Sequence, residues 1–132
     1  MLRIIHNISI SFVFLLMLAG TASAGDKQLL IAVAGESTET TSSVSKVAAR
    51  APYFLLFDGQ NNFVKAVENP AADASGGAGP RAAAFLAEQK VNLVIAGQFG
   101  NKMAAALKSS QIKTVQRQGL VIDAVKEQNH AQ

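Results

Sequence analysis

The sequence contains no cysteine and no tryptophan, and only two of its 132 residues are histidine. Without cysteine the chain has no disulfide, no thiolate nucleophile, no cysteine-held iron-sulfur cluster and no site for lipid attachment to a cysteine. His6 lies near the N-terminus, and His130 lies in the tail after the last predicted helix. Neither a Ser-His-Asp triad nor a histidine metal site can be assembled from these two residues.

Acidic residues are also few, and the nine that occur are scattered along the chain. Asp58 and Glu68 fall at distant ends of two predicted strands, while Glu36 and Glu39 fall in a polar loop. Two-metal and general acid-base chemistry need carboxylates that are held close together. We therefore interpret the protein as a binding protein and not an enzyme, with a hydrolase as the weakest alternative.

The charge balance does not indicate nucleic acid binding. Twelve basic residues face nine acidic ones, and the basic residues are dispersed instead of forming a run or stripe. The glycine-rich stretch at residues 76–79 is neither a GxGxxG motif nor a P-loop, because no Lys-Ser or Lys-Thr pair follows it. Nucleotide binding is disfavoured as well.

The first 24 residues have the pattern of a secretory signal peptide. Arg3 precedes the apolar stretch 8–20, and Ala22-Ser23-Ala24 is the small-x-small pattern of a cleavage site. The stretch is shorter than the ~20 apolar residues that span a bilayer. We expect cleavage between Ala24 and Gly25, a domain at residues 25–132, and a periplasmic or secreted protein. An uncleaved membrane anchor is the alternative.

Apolar runs predict five strands, and helical periodicity predicts three helices. The strands are residues 28–34, 52–58, 63–68, 91–96 and 112–116. The helices follow Pro80, Asn101 and Gly119, with Gly79 and Asn101 as the expected caps of the first two. A hairpin joined to right-handed crossovers gives an α/β fold with a mixed sheet in the order 3-2-1-4-5 and helices packed on its faces.

Glycine loops and basic residues should meet at one rim of this sheet. In an open α/β sheet, ligands bind at the carboxyl ends of the strands. Backbone N–H groups at helix starts and guanidinium groups suit an anion. The predicted site residues are Arg50, Gly76, Gly77, Gly79, Gly97, Phe99, Gly100, Asn101, Lys102 and Arg117. Two roles are open for Phe99: it covers a bound ligand, or it closes the end of the hydrophobic core as a plug.

Several short motifs resemble the dinitrogenase iron-molybdenum cofactor biosynthesis family, of NifX type. In order they are Val44-Ser45, Arg50-Ala51-Pro52-Tyr53-Phe54, Glu68-Asn69-Pro70-Ala71, Gly76-Gly77-Ala78-Gly79, Val94-Ile95-Ala96-Gly97 and Phe99-Gly100. The resemblance implies a ribonuclease H-like fold. It also implies binding or carriage of anionic metal-sulfur clusters, such as the nitrogenase cofactor or molybdenum-copper sulfide species.

One segment departs from the family pattern. Members often carry Ser-Pro-His-Phe-Gly-Arg where this chain has residues 45–50, so that Val47 replaces the candidate ligand histidine. A molybdenum- or iron-containing sulfide cluster would then be held by charge and backbone N–H groups. Met103 is a further candidate, although its helical spacing favours a place in the core. The sequence leaves the metal unidentified. The alternative function is a protein-interaction or regulatory module, with a protein partner in the periplasm, that keeps the fold without a cluster.

Overall fold

The computed structural model describes residues 28–130. The predicted signal peptide and its cleavage site lie outside the described residues. Among the residues described, no helix combines the length and the hydropathy needed to cross a bilayer.

The structure has three layers, with a central sheet of five strands and α-helices packed on both of its faces. The strands are β1 (Leu30–Gly35), β2 (Tyr53–Asp58), β3 (Phe63–Glu68), β4 (Leu93–Ala96) and β5 (Lys113–Gln116). The helices are α1 (Ala78–Glu88), α2 (Asn101–Ser109) and α3 (Val121–His130), and a short 3-10 helix spans Ala48–Arg50. The sheet has the order β3-β2-β1-β4-β5, which confirms the predicted topology.

The direction of each strand follows from its connection. β1 pairs with β2 and β2 with β3 in antiparallel fashion, whereas β4 is parallel to both β1 and β5. A short turn, residues 59–62, joins β2 to β3, and the longer segment 36–52 with its 3-10 helix joins β1 to β2. The parallel strands are reached by helical crossovers. As a result the carboxyl ends of β1, β3, β4 and β5 lie along one rim of the sheet.

Both faces of the central strands are buried, so their sequences are apolar without alternation. In β1, Ala32 and Ala34 contribute to the core under α1 and α2, while Ile31 and Val33 contribute to the core under α3. Two helices cover one face and a single helix covers the other. The helix pair α1 and α2 begins at the rim, and this placement creates the site described below.

The β2–β3 hairpin closes at the opposite end through Asp58. Its carboxylate accepts hydrogen bonds from the backbone N–H groups of Gln60 and Asn62 at 2.9 and 2.8 Å. The bond from the Asn62 backbone, with that from Gln60 and the Asn62 side chain, lowers the pKa of the Asp58 carboxyl. The predicted turn residues thus form the turn, with Asn61 in the left-handed region at a φ of 67°.

Candidate functional site

A pocket of about 320 Å³ lies where α1 and α2 begin, next to the 3-10 helix. Six of the predicted site residues line it: Arg50, Gly77, Gly79, Gly100, Asn101 and Lys102. The geometry therefore brings together the two glycine loops and two of the predicted cations.

The start of α1 has no side-chain cap. Gly77 is the N-cap residue, with a φ of 67° and a ψ of 23°, and no side chain bonds to the first N–H groups. The prediction that Gly79 is the cap is wrong, because the left-handed turn that only glycine adopts at low cost occurs at Gly77. Pro80 is tolerated as the third helical residue, since an N–H group in the first turn has no intrahelical acceptor.

The start of α2 is similar. Gly100 is the N-cap residue, with extended backbone and no side-chain cap bond. Asn101 is the first helical residue and is exposed, so its prediction as the N-cap is also wrong. Neither helix carries an acidic residue in its first turn. Both starts thus present backbone N–H groups that no side chain of their own turn occupies.

The two helix starts touch each other at Gly79. A Cβ atom on Gly79 would lie 3.0 Å from the Met103 Cβ and 3.1 Å from the Met103 backbone nitrogen. The missing side chain allows this close approach. The first N–H groups of a helix lack intrahelical acceptors, and the macrodipole places about half a positive charge there. Two such ends therefore direct partial positive charge into one pocket.

Arg50 forms the third wall and also ties down the neighbouring turn. Its Nη1 donates to the backbone carbonyl oxygens of Ala72 and Ala74, at 3.2 and 2.5 Å. Within the described residues, the guanidinium makes no other hydrogen bond, so its Nε and Nη2 remain available to a ligand. Lys102 is exposed in the first turn of α2 and adds a second full charge.

Four predicted site residues do not line the pocket. Gly76 is exposed beside it, and a Cβ added there would meet no atom within 4 Å. Gly97 permits a backbone contact, because a Cβ there would lie 2.7 Å from the carbonyl oxygen of Lys46. Phe99 is partly buried against the core under α1 and α2, which agrees with the plug and not the cover.

Arg117 is the fourth, and it belongs to a different contact. Its Nε lies 3.6 Å from the Oε2 atom of Glu127 in α3, on the other face of the sheet. The expectation that Arg117 reaches the shared pocket is therefore not met. The end of β5 does lie at the predicted rim, but the Arg117 side chain lies beside the carboxylate of Glu127 in α3.

Five residues that line the pocket are not among the predicted site residues: Val47, Ala49, Ala78, Pro80 and Met103. Val47 forms a parallel bridge with Gln98, and the Ala48 N–H donates to the Gln98 carbonyl at 3.0 Å. These bonds hold the segment against the end of β4 and bring it to the pocket wall. Small apolar side chains do not indicate a binding pocket in a sequence. Val47 was considered only because it replaces a residue of the family motif.

The pocket offers no set of metal-binding side chains. Among residues 28–128, no group of three His, Cys, Asp or Glu side chains is placed to hold a metal ion. Met103 lines the pocket but is 1% exposed and packs in the core. The donors of the site are backbone N–H groups, a guanidinium and an ammonium, which together suit an anion.

Comparison with known proteins gives a consistent result. Residues 27–130 match the family model described as dinitrogenase iron-molybdenum cofactor. The apo form of the orange protein from Desulfovibrio gigas is 30% identical, with a TM-score of 0.74 over 81% of this chain and 92% of that one. A Thermotoga protein named for NifB is also 30% identical, with a TM-score of 0.66 over 77% and 88%.

A more distant structure shows the fold alone. A protein from Methanocaldococcus jannaschii described as a dinitrogenase is 14% identical, with a TM-score of 0.57 over 80% of this chain and 92% of that one. No curated protein matches the sequence.

Proposed function

We propose, from the premise that this chain belongs to the dinitrogenase iron-molybdenum cofactor family, that it is an exported carrier for an anionic metal-sulfur cluster, a thiometallate or a related anion. One observation carries the proposal. Two helix starts without side-chain caps, together with Arg50 and Lys102, line a single pocket. The cluster is cargo, and the protein performs no chemistry on it.

The donors of the pocket fit the outer atoms of such an anion. Terminal sulfur or oxygen atoms of a cluster accept hydrogen bonds, and the pocket supplies N–H donors and positive charge. Among the described residues that line it, none is a carboxylate, imidazole or thiol side chain. Val47 stands where family members often have histidine, so this chain would hold its cargo by charge and hydrogen bonds and not by a bond to the metal.

Charge removal at the pocket tests the proposal. In the double variant Arg50→Ala/Lys102→Ala, we expect tetrathiomolybdate to bind about tenfold or more weakly, a loss of at least about 1.4 kcal/mol. Both full charges that face the anion are then gone, and only the helix starts remain. Titration followed by visible absorption measures the dissociation constant.

A matched variant separates local from global electrostatics. Lys108→Ala/Lys126→Ala removes the same charge at the far end of α2 and on α3, and it should bind tetrathiomolybdate as the unmodified protein does. Equal curves for the two double variants would reject the pocket as the site. If the unmodified protein failed to bind and purified without metal, a module that keeps the fold without cargo would be the better interpretation.

Export is tested on the natively produced protein. N-terminal sequencing of material from the periplasmic fraction should begin at Gly25, because signal peptidase cuts after the small-x-small pattern. The cytoplasmic fraction serves as the control. A chain that retains Met1 and stays in the cytoplasm would contradict export while leaving the pocket proposal intact.

A further inference from the structure

The outer edge of β5 is open. Within the described sheet, β5 has a single neighbour, β4. The N–H groups of Lys113 and Arg117 donate to the carbonyl oxygens of Asn92 and Ala96, both at 2.9 Å. Because successive residues of a strand direct their backbone groups to opposite sides, Thr114 and Gln116 present their N–H and C=O groups outward. This is the pattern that an added strand would pair with.

A trough of about 1030 Å³ follows this edge, and we call it the β5 trough. Its apolar lining includes Leu93, Ile112 and Val115. Ala104 of α2 contributes from one face of the sheet and Gln128 of α3 from the other. The trough therefore reaches both faces of the sheet along residues 113–115, beside the position that a sixth strand would take.

The charge of the trough has one sign. Lys108 and Lys113 line it, and among the described lining residues none is acidic. A lysine on an edge strand normally discourages strand pairing, and it does so most strongly against another positive segment. A second copy paired through β5 would bring the lysines of both copies into one trough. An acidic strand would instead neutralise them.

We infer that the β5 trough binds an extended, acidic and apolar segment of a partner protein, which joins the sheet as a sixth strand. Backbone hydrogen bonds to Thr114 and Gln116 supply pairing, alternate apolar side chains enter the trough, and Lys108 and Lys113 select acidic residues. Of the residues that the structure describes, none lines both the trough and the pocket between α1 and α2. Partner and cargo can therefore be bound at the same time.

A designed peptide tests this inference. The probe is a capped octapeptide in which glutamate alternates with valine, and its counterpart carries lysine in place of glutamate. We expect the acidic peptide to bind about tenfold or more tightly than the basic one. Amide resonances of Thr114 and Gln116 should shift and their exchange with solvent should slow. Absence of acidic-peptide binding at millimolar concentration would overturn the inference.

Two variants identify the contact. Thr114→Pro removes an outward N–H group and keeps the bonds to β4, since proline is tolerated at such an edge position. This variant should bind the acidic peptide about tenfold more weakly. If this variant does not fold, Lys108→Glu/Lys113→Glu is decisive, because it should reverse the preference between the two peptides. Unchanged binding in a folded variant would overturn the inference.

Self-association is the competing outcome. Sedimentation of the unmodified protein should show a monomer over the concentrations used. A concentration-dependent dimer that Thr114→Pro abolishes would assign the edge to a second copy and overturn the acidic partner. Tetrathiomolybdate binding should be the same with and without the acidic peptide, so that failure of this inference is distinguishable from failure of the cargo proposal.

Discussion

Replacing Asn69 by leucine is expected to lower the free energy of unfolding by about 3 kcal/mol and to weaken tetrathiomolybdate binding. Asn69 is 6% exposed, and its Nδ2 donates to the carbonyl oxygens of Ala49 and Ala51 at 3.0 and 2.9 Å. Its Oδ1 accepts from the Ala71 N–H at 3.0 Å. Leucine would leave all three backbone groups unsatisfied. Arg50 lies between the two carbonyl groups and would lose its fixed position.

Urea denaturation measures the stability change, and visible titration measures the binding change. Asn92→Leu is a suitable control, because the Asn92 side chain accepts one hydrogen bond, from the Leu30 N–H at 2.8 Å, at the other end of the sheet. It should cost about 1 kcal/mol and leave anion binding unchanged. If Asn69→Leu proved no less stable than Asn92→Leu, the three bonds could not be what positions the Arg50 segment.

Adding a single methyl group at Gly97 is expected to cost about 2 to 3 kcal/mol. The new Cβ would lie 2.7 Å from the carbonyl oxygen of Lys46 and 2.9 Å from its Cα. Both are backbone atoms and cannot rotate away as a side chain would. The segment must separate from β4, which breaks the bond from the Gly97 N–H to the Ser45 carbonyl, now 2.9 Å long.

The same urea experiment tests this prediction, with hydrogen exchange of the Ala48 amide as a local probe. The Ala48 N–H donates to Gln98 across the affected contact and should exchange faster in the Gly97→Ala variant. Gly76→Ala is the control, because a Cβ there meets no atom within 4 Å, and it should stay within about 0.5 kcal/mol of the unmodified protein. Equal stability of the two variants would contradict the role of Gly97.

The strand order could be predicted because it depends on features that are visible in the sequence. Apolar runs of strand length locate β1, β2 and β4, and the turn residues 59–62 join the hairpin. Right-handed crossovers then leave few topologies. The meeting of the two glycine loops follows from the same argument, since both come after strands that end at the same rim.

The details of the pocket were harder to predict, because its walls are mostly backbone. When a helix has no side-chain cap, the sequence does not show at which residue the helix begins. Gly77 and Gly79 were equally possible N-cap residues, and only the left-handed φ of Gly77 identifies the cap. Arg117 could not be excluded, because its pairing with Glu127 depends on how α3 packs. Asn69 was visible only as part of a motif, and its three bonds join segments far apart in sequence.

The double use of Arg50 has a consequence for selectivity. Its Nη1 holds the carbonyl groups of Ala72 and Ala74, so an anion that draws the whole guanidinium inward must break these bonds. Each bond is worth about 1 kcal/mol or slightly more, because the donor is charged. On the proposed function, an anion that Nε and Nη2 reach while Nη1 stays bonded avoids this cost, so the resting contacts of Arg50 should favour guests that fit the pocket without moving its guanidinium.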